Sequence, residues 1–386
     1  MDIPGLQAAR LSGQSSTGAP SDQPLVLSLE DVYKTFGKKK DTFNAVENVN
    51  LDIYAGEFFV ILGPTGCGKS TLLRLIAGLD IPSPGTIAIE DFECTSWPAH
   101  ERPVNMIFPD FALFPHMSVV ENIGFGLRMK KRASHEIARE VMGAMQLLDL
   151  VDLASAKPRK LDRGQAQRVA IARALVNEPK VLLLDEPLAG LDLRVRQELQ
   201  VKLRELQRNL TIPFVMVTEH QSDALALSDR LAVMNEGRIE QVGRPSELYE
   251  HPANPFVAGY VGRCNLVDGR FLYREGSEVV VQTKLGKIRC EFPESEAEKA
   301  DQNEVTLAIR PEKVRINQPM DAPNLFTGTV IEIDYRGSST ELKVRQTEQL
   351  IDISITNHEL GVPQFQPGDT IAFTFPPSNL LLMDAK

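Results

Sequence analysis

The sequence predicts an α/β domain built on a mainly parallel sheet, followed by a smaller all-β domain. Three observations carry this expectation. From Leu25 to about Gly259, short and almost continuously apolar runs alternate with segments of helical periodicity. That is the pattern of strands covered on both faces by crossover helices. Beyond Gly259 the helical period stops, and short runs with period-two alternation replace it. The length of 386 residues accommodates two domains of ordinary size, each able to bury its own core.

Residues 1–24, rich in Ser, Gly, Gln and Pro, read as a disordered tail. They lack the basic start and apolar centre of a signal peptide. The first domain, residues 25–260, opens with a strand at Leu25–Leu29. The run Lys38-Lys39-Lys40 reads as a solvated hairpin tip. Val49–Ile53 alternates like a half-buried strand, and Phe58–Leu62 is apolar throughout. Helical spacing follows at Ser70–Ala77, Ser134–Leu148, Gln165–Val176 and Leu193–Asn209, with buried strands at Val181–Leu184 and Phe214–Val217. Residues of about 110–177 form a helical subdomain. Gly243–Gly262, carrying Pro245, Pro252 and Pro255, reads as the connection. The second domain, 261–386, offers strands at Glu278–Gln282, Lys287–Phe292, Val305–Ile309, Gly328–Tyr335, Thr340–Val344, Leu350–Ile355 and Ile371–Phe375. In one of them Ile331, Ile333 and Tyr335 share a face, so a small barrel is expected.

Composition removes several classes of function. Lys plus Arg is 42 against 52 for Asp plus Glu, a net charge of -10. Such a chain is a poor non-specific binder of nucleic acid, which needs clustered cations. No run approaches the roughly 20 apolar residues that span a bilayer. The four cysteines, at 67, 94, 264 and 290, form no C-x-x-C pair, so no zinc or redox motif is indicated and a reducing compartment fits. None of His100, His116, His135 and His251 has metal-site spacing.

The most specific string is Gly63-Pro64-Thr65-Gly66-Cys67-Gly68-Lys69-Ser70, continued by Thr71. It matches G-x-x-x-x-G-K-[ST] and stands between an apolar strand and a helix, where such a loop can aim its backbone amides at an anion. Lys69 would reach outer phosphates, and Ser70 would hold Mg²⁺. Chance supplies this string in roughly one or two per cent of chains this long. Cys67 reads as a small residue in a tight loop. A second half of the site is Val181-Leu182-Leu183-Leu184-Asp185-Glu186, a buried strand ending in acid. Asp185 is the second candidate Mg²⁺ ligand, and Glu186 the candidate to polarise an attacking water.

These residues resemble the ATP-binding-cassette (ABC) ATPases of membrane transporters. Leu161–Leu175 is similar to the family's signature segment and helix, and Leu188-Ala189-Gly190-Leu191-Asp192 to the loop after the acidic strand. The resemblance implies an α/β P-loop ATPase fold with a helical subdomain. It implies ATP and Mg²⁺ as cofactors, with Asp162, Gly164, Gln165 and Asp192 completing a nucleotide site across a head-to-tail dimer. It places Phe36 where an aromatic stacks on adenine, although Phe36 as plain core is the open alternative. Phe111–Val119, Glu121-Asn122-Ile123 and Gly126-Leu127 resemble the importer ATPases for polyamines, sulfate, iron and sugars. Ile309-Arg310-Pro311-Glu312 and Gly328-Thr329-Val330 resemble the OB-like domain of that group. Phe125–Met129 and Phe256–Gly259 look nearest to its putrescine/spermidine branch. The implied function is ATP hydrolysis that drives solute uptake. The implied partners are transmembrane permease subunits, with a periplasmic or extracellular solute-binding protein beyond them. The implied place is the cytoplasmic face of the membrane, without nucleic acid.

Three positions break the family pattern. Pro109 stands where the family has a Gln, Asp162 and Arg163 replace the Ser and first Gly of the signature, and Glu219-His220 stands where the switch His is followed by Asp. His220, the second catalytic candidate beside Glu186, is therefore one residue late, which on a strand reverses the face a side chain presents, so that it would serve only if the strand end bulges. The groups that hold ATP are intact while those near the γ-phosphate are altered. The chain is expected either to hydrolyse ATP as a homodimer, or to turn it over weakly as a regulatory subunit, or to pair with an intact ATPase. A soluble ABC ATPase outside transport is the remaining alternative.

Overall fold

The structure is a computed structural model that describes residues 23–37, 41–291, 304–316, 318–357 and 365–384. The N-terminal tail to residue 22, the Lys38–Lys40 tip and Phe292 lie outside the described residues. The chain forms two compact units. One holds the described residues up to Glu219 together with Asp223–Arg244. The other holds His220–Ser222 and the described residues from Pro245 onward.

The first unit is organised by a six-stranded sheet. Its order is Arg238–Gly243, Arg230–Asn235, Phe58–Leu62, Phe214–Thr218, Val181–Asp185, Val104–Ile107. All neighbours are parallel except the first pair. Phe58–Leu62, Val181–Asp185 and Phe214–Thr218 are buried at every position, as their unbroken apolar sequences require. The antiparallel edge is a hairpin whose turn puts Glu236 and Gly237 at φ 45° and 85°. Both signs are the primed-turn condition that matches strand twist. A four-stranded antiparallel sheet lies beside it, in the order Phe43–Tyr54, Leu25–Phe36, Thr86–Ile89, Phe92–Glu93. Its first two strands are 12 residues each, longer than the alternating cores of sequence that announce them.

One core joins these layers. Leu29, Val49 and Ile53 of the antiparallel sheet meet Leu72, Leu73 and Ile76 of the helix Lys69–Ile76, and Ile61 and Val217 of the parallel sheet. The helix that follows the phosphate loop is thus packed on both sides, which fixes the loop. Arg102, 4% exposed, donates to the carbonyls of Leu75 and Ile76 at 2.7 and 2.9 Å and closes the helix's C-terminal end.

Between Val104–Ile107 and Val181–Asp185 the chain makes the helices Val119–Ile123, Phe125–Met129, Ser134–Leu147 and Arg163–Leu175. Asn122, fully buried, organises the turn before them. Its amide nitrogen donates to the carbonyls of Phe114, Met117 and Ser118 at 3.1, 3.2 and 3.0 Å, and its oxygen accepts from the Phe114 amide at 2.8 Å. Ser118 and Glu121 form a capping box, and these contacts hold the Glu121 carboxyl down at about 2.

In the second unit two five-stranded antiparallel sheets share one core, formed by Val267, Val281, Leu307, Val330, Val344 and Phe373 among others. The expected small barrel takes this two-sheet form. The stretch Gly243–Gly262 is not plain linker: it contains helices Pro245–Glu250 and Pro255–Tyr260. Pro245 and Pro255, two of the three prolines that suggested a linker, open these helices, where a missing N–H costs nothing, and Pro252 stands between them. Arg310, 3% exposed, ties these helices to the sheets. It donates to the carbonyls of Tyr249, Ala258 and Arg263 at 2.8, 2.7 and 3.0 Å, and its guanidinium lies 3.9 Å from the centre of the Tyr249 ring. Tyr249 in turn donates its hydroxyl to Glu312 at 2.6 Å.

Candidate phosphate-binding site

The loop between Phe58–Leu62 and Lys69–Ile76 is shaped by close approach. At Gly68, with φ 108°, an added Cβ would stand 2.1 Å from the Ala45 carbonyl oxygen; at Gly63 it would stand 2.2 Å from that of Met234. Neither position admits a side chain. Gly68 is also the N-cap, with no side-chain oxygen on the helix's first amides, so they remain available to an anion. Lys69 is 6% exposed, and its ammonium donates to the carbonyls of Gly63 and Pro64 at 2.7 and 2.9 Å. Cys67 is buried, and burial pushes its thiol above the ordinary range, which suits a packing role rather than a reactive one.

The sheet brings the acids to this loop. Ser70 Oγ donates to Asp185 Oδ1 at 3.0 Å across 115 residues of sequence. Burial raises the Asp185 carboxyl above its usual value. Glu186 leaves the strand at φ 46°, and its amide donates to the Val217 carbonyl at 3.1 Å. Its carboxylate accepts from the Thr218 hydroxyl at 3.5 Å and from the Glu219 amide. Burial pushes the Glu186 carboxyl up to about 6; Lys69 opposes the rise, and the charges of Glu219 and Asp185 add to it.

A cleft of about 510 Å³ opens over these groups, lined by Lys69, Ser70, Glu186, Pro109, Glu219 and two aromatic rings. Phe36 is 36% exposed and Phe43 62% exposed, which excludes plain core for Phe36. Their ring centres are 5.9 Å apart. Phe43 was not legible as a site residue, since only its contact across the hairpin brings it to Phe36.

The altered positions have definite places. Pro109 lines the cleft. Beyond it Phe111 and Ala112 stand at φ 63° and 45°, held by Arg173, which donates to their carbonyls at 2.7 and 2.6 Å. Asp162 accepts from the Gln165 amide at 2.7 Å while Gln165 Oε1 accepts from the Asp162 amide at 3.0 Å, a complete capping box for the signature helix. Arg163 turns away from the helix. It donates to the Ala189 carbonyl at 3.2 Å and covers the Phe111 ring at 5.3 Å. Gly164 packs against Val195, and Asp192 caps the helix Leu193–Leu210 by accepting from the Val195 amide at 3.1 Å. So Thr65, Gly66, Lys69, Ser70, Thr71, Asp185, Glu186 and Phe36 converge, whereas Asp162, Gly164, Gln165 and Asp192 stand in a second group outside the cleft lining. At the end of Phe214–Thr218 the residue that lines the cleft is Glu219, which accepts a hydrogen bond from the Thr65 hydroxyl. His220 is half-buried and opens the turn into the helix Gln221–Leu227.

Among the described residues no cluster of three His, Cys, Asp or Glu could hold a metal alone, and no helix is long and apolar enough to cross a membrane. Residues 46–189 match the ABC transporter family and residues 307–383 the TOBE domain. The spermidine/putrescine import ATP-binding protein PotA of Rubrobacter xylanophilus is 41% identical over 365 residues, covering 94% of this chain and 95% of the relative. That of Thermobifida fusca is 44% identical, covering 83% and 84%. Among solved structures, cbiO1 from Clostridium perfringens, part of the ABC transporter complex cbiONQ, is 33% identical with a TM-score of 0.54, over 58% of this chain and 91% of that one. The dimeric ATP-binding cassette MJ0796 in a post-hydrolysis state bound to ADP and Pi is 31% identical with a TM-score of 0.51, over 56% and 98%. Similarity along nearly the whole length of import ATP-binding proteins, joined to the phosphate loop and its paired acids, has one reading: this chain belongs to the ATP-binding subunits of importer-class ABC transporters, ATPases that work with separate membrane-spanning permeases.

Proposed function

We propose that this chain binds ATP with Mg²⁺ in the 510 Å³ cleft and hydrolyses it to drive uptake of a polyamine, putrescine or spermidine. The observation that carries the reading is the convergence of Lys69 and Ser70, at the end of the loop, with Asp185 and Glu186, at the end of one strand. The donor set fits a hard divalent cation: a hydroxyl and a carboxylate, already 3.0 Å apart, and no soft ligand except the buried Cys67. Ser70 and Asp185 would hold Mg²⁺, which when bound neutralises phosphate charge and polarises phosphoryl oxygens. The glycine-shaped loop from Gly63 through Pro64, Thr65, Gly66, Cys67 and Gly68 to Thr71 cradles the phosphates with its amides, and Lys69 exchanges its two carbonyl partners for phosphate oxygens. Phe36 and Phe43 offer the adenine a face. Glu186, held by the Thr218 hydroxyl and the Glu219 amide, orients a water and takes up its proton.

The second group of site residues, Asp162, Gly164, Gln165 and Asp192, serves the nucleotide of a partner copy in a head-to-tail dimer. Residues 25–260 carry the ATP chemistry, and residues 261–386 form the accessory domain. The subunit works at the cytoplasmic face of the membrane, against permeases supplied by a solute-binding protein. The polyamine assignment is supported by its relatives, which are spermidine/putrescine import ATP-binding proteins. A second reading, slow turnover in a regulatory subunit or beside an intact ATPase, is favoured by Pro109 and Glu219 lining the cleft. The test is uptake of labelled putrescine and spermidine in cells lacking the gene, complemented by the wild type or by Glu186→Gln. Uptake with the wild type alone supports the reading. Equal uptake with both, or none with either, counts against it.

A further inference from the structure

Two turns carry residues into the cleft, and both close in the same way. In Phe108–Phe111 the Phe111 amide donates to the Phe108 carbonyl at 2.9 Å, with Pro109 in the cleft lining. In Glu186–Ala189 the Ala189 amide donates to the Glu186 carbonyl at 3.1 Å, with Glu186 and Ala189 in the lining. Each turn holds a non-glycine residue in the left-handed region, Phe111 at φ 63° and Glu186 at φ 46°. Such a conformation persists where the surroundings fix it. One side chain from a third segment touches both turns. Arg163, at the start of the helix Arg163–Leu175, donates from Nε to the Ala189 carbonyl at 3.2 Å. Its guanidinium carbon lies 5.3 Å from the centre of the Phe111 ring. The same group lies along Gly190, where an added Cβ would stand 3.3 Å from it. Pro109 has neither a polar side chain nor an N–H with which to join the turns directly.

We propose that Arg163 is a positioning residue for hydrolysis: it ties the Phe108–Phe111 turn to the Glu186–Ala189 turn, and so fixes where the Glu186 carboxylate holds its water. This rests on the reading that Glu186 directs hydrolysis of ATP in this cleft, and deepens it. The turn that opens with Glu186 ends at Ala189, and the Ala189 carbonyl is the group that Arg163 grips. With the tie cut, Glu186 stays in the cleft but its carboxylate samples positions from which the water is not aimed at phosphorus. Phosphate is held by the loop Gly63–Thr71, on another segment, so binding persists. The tie calls for a planar cation that donates in its plane and stacks on its face, which Arg supplies and Lys only in part. Arg163 is itself exposed, so shortening it opens no hole in the core.

The test uses the full chain, with phosphate release at saturating ATP and equilibrium titration with a non-hydrolysable ATP analogue, each with Mg²⁺. Arg163→Met is expected to lower the rate about tenfold or more while moving affinity by less than about twofold. Arg163→Lys, which keeps the charge beside the ring, is expected to recover part of the loss. In a Glu186→Gln background Arg163→Met is expected to change the residual rate by less than about twofold, because the acid it positions is already gone. Thermal melting establishes that each variant is folded, and Arg163→Lys carries the same test if Arg163→Met is not. A full rate in Arg163→Met overturns the role. So does a loss of the same factor in both backgrounds, or a loss of affinity that matches the loss of rate; each is what a residue that only supports the fold, or one that touches nucleotide, would give. In those cases the ATP reading stands on the wild type's own binding and release. If the wild type binds no ATP, or releases no phosphate from it, that reading falls and this inference with it.

Discussion

Replacing Glu186 by Gln should make the folded protein more stable at neutral pH. The folded state holds this carboxyl at about 6 against an ordinary 4.5, chiefly because it is buried, and with the charges of Glu219 and Asp185 adding to the effect. A raised value means that the folded state binds its proton more tightly than the unfolded state does. Stability therefore falls as pH rises from 4.5 to about 6, and the penalty is fully present above that window. At about 1.4 kcal/mol for each pH unit, the penalty is about 2 kcal/mol near pH 8 and about 0.8 kcal/mol near pH 5. Gln fills the same space and removes the charge. Urea unfolding of the nucleotide-free wild type and variant measures the difference, and melting should show it as a rise of roughly 2–4 °C for each kcal/mol. A gain near pH 8 that shrinks by more than half near pH 5 is expected. A variant less stable than the wild type near pH 8, or equally stabilised at both pH values, would refute the claim that an electrostatically strained acid sits in this cleft.

Three further perturbations follow from named contacts. Arg310→Met should cost the second unit about 3–5 kcal/mol in urea unfolding, because it strips partners from the buried carbonyls of Tyr249, Ala258 and Arg263. Asn122→Ala should cost about 2–4 kcal/mol and open the Phe114–Ser118 turn to limited proteolysis, since four backbone groups lose their bond to one amide. Phe43→Ala should weaken ATP binding by roughly tenfold in equilibrium titration without altering hydrolysis at saturating ATP, because the ring lines the cleft beside Phe36 and carries no group that acts on water or phosphate.

The sequence made the parallel sheet legible because burial on both faces leaves no room for polar residues, and Phe58–Leu62, Val181–Leu184 and Phe214–Val217 show it directly. The phosphate loop was legible for a different reason: close approach at Gly63 and Gly68 forbids other residues. Edge elements were hidden. Arg238–Gly243 is intermediate in exposure along most of its length, so no alternation marks it, and Val104–Ile107 is short and flanked by prolines and charges. The helices at Pro245 and Pro255 were concealed because proline marks both a helix start and a linker. At the site, local motifs named Lys69, Ser70, Asp185 and Glu186, but contacts between distant segments decided the rest. The tilted contact of Phe43 with Phe36, the turn of Arg163 toward Ala189 and the reach of Thr65 to Glu219 depend on register and rotamer, which no short string encodes.

The central claim is that one cleft binds ATP and that Glu186 directs its hydrolysis. Phosphate release from ATP and Mg²⁺ by the purified full chain, measured beside ATP affinity for the wild type and Glu186→Gln, tests it most directly. Release by the wild type that rises with pH through about 6, and falls at least about a hundredfold in Glu186→Gln with affinity kept, is the result the account requires. Release by Glu186→Gln equal to that of the wild type, or no ATP binding by either, would contradict it.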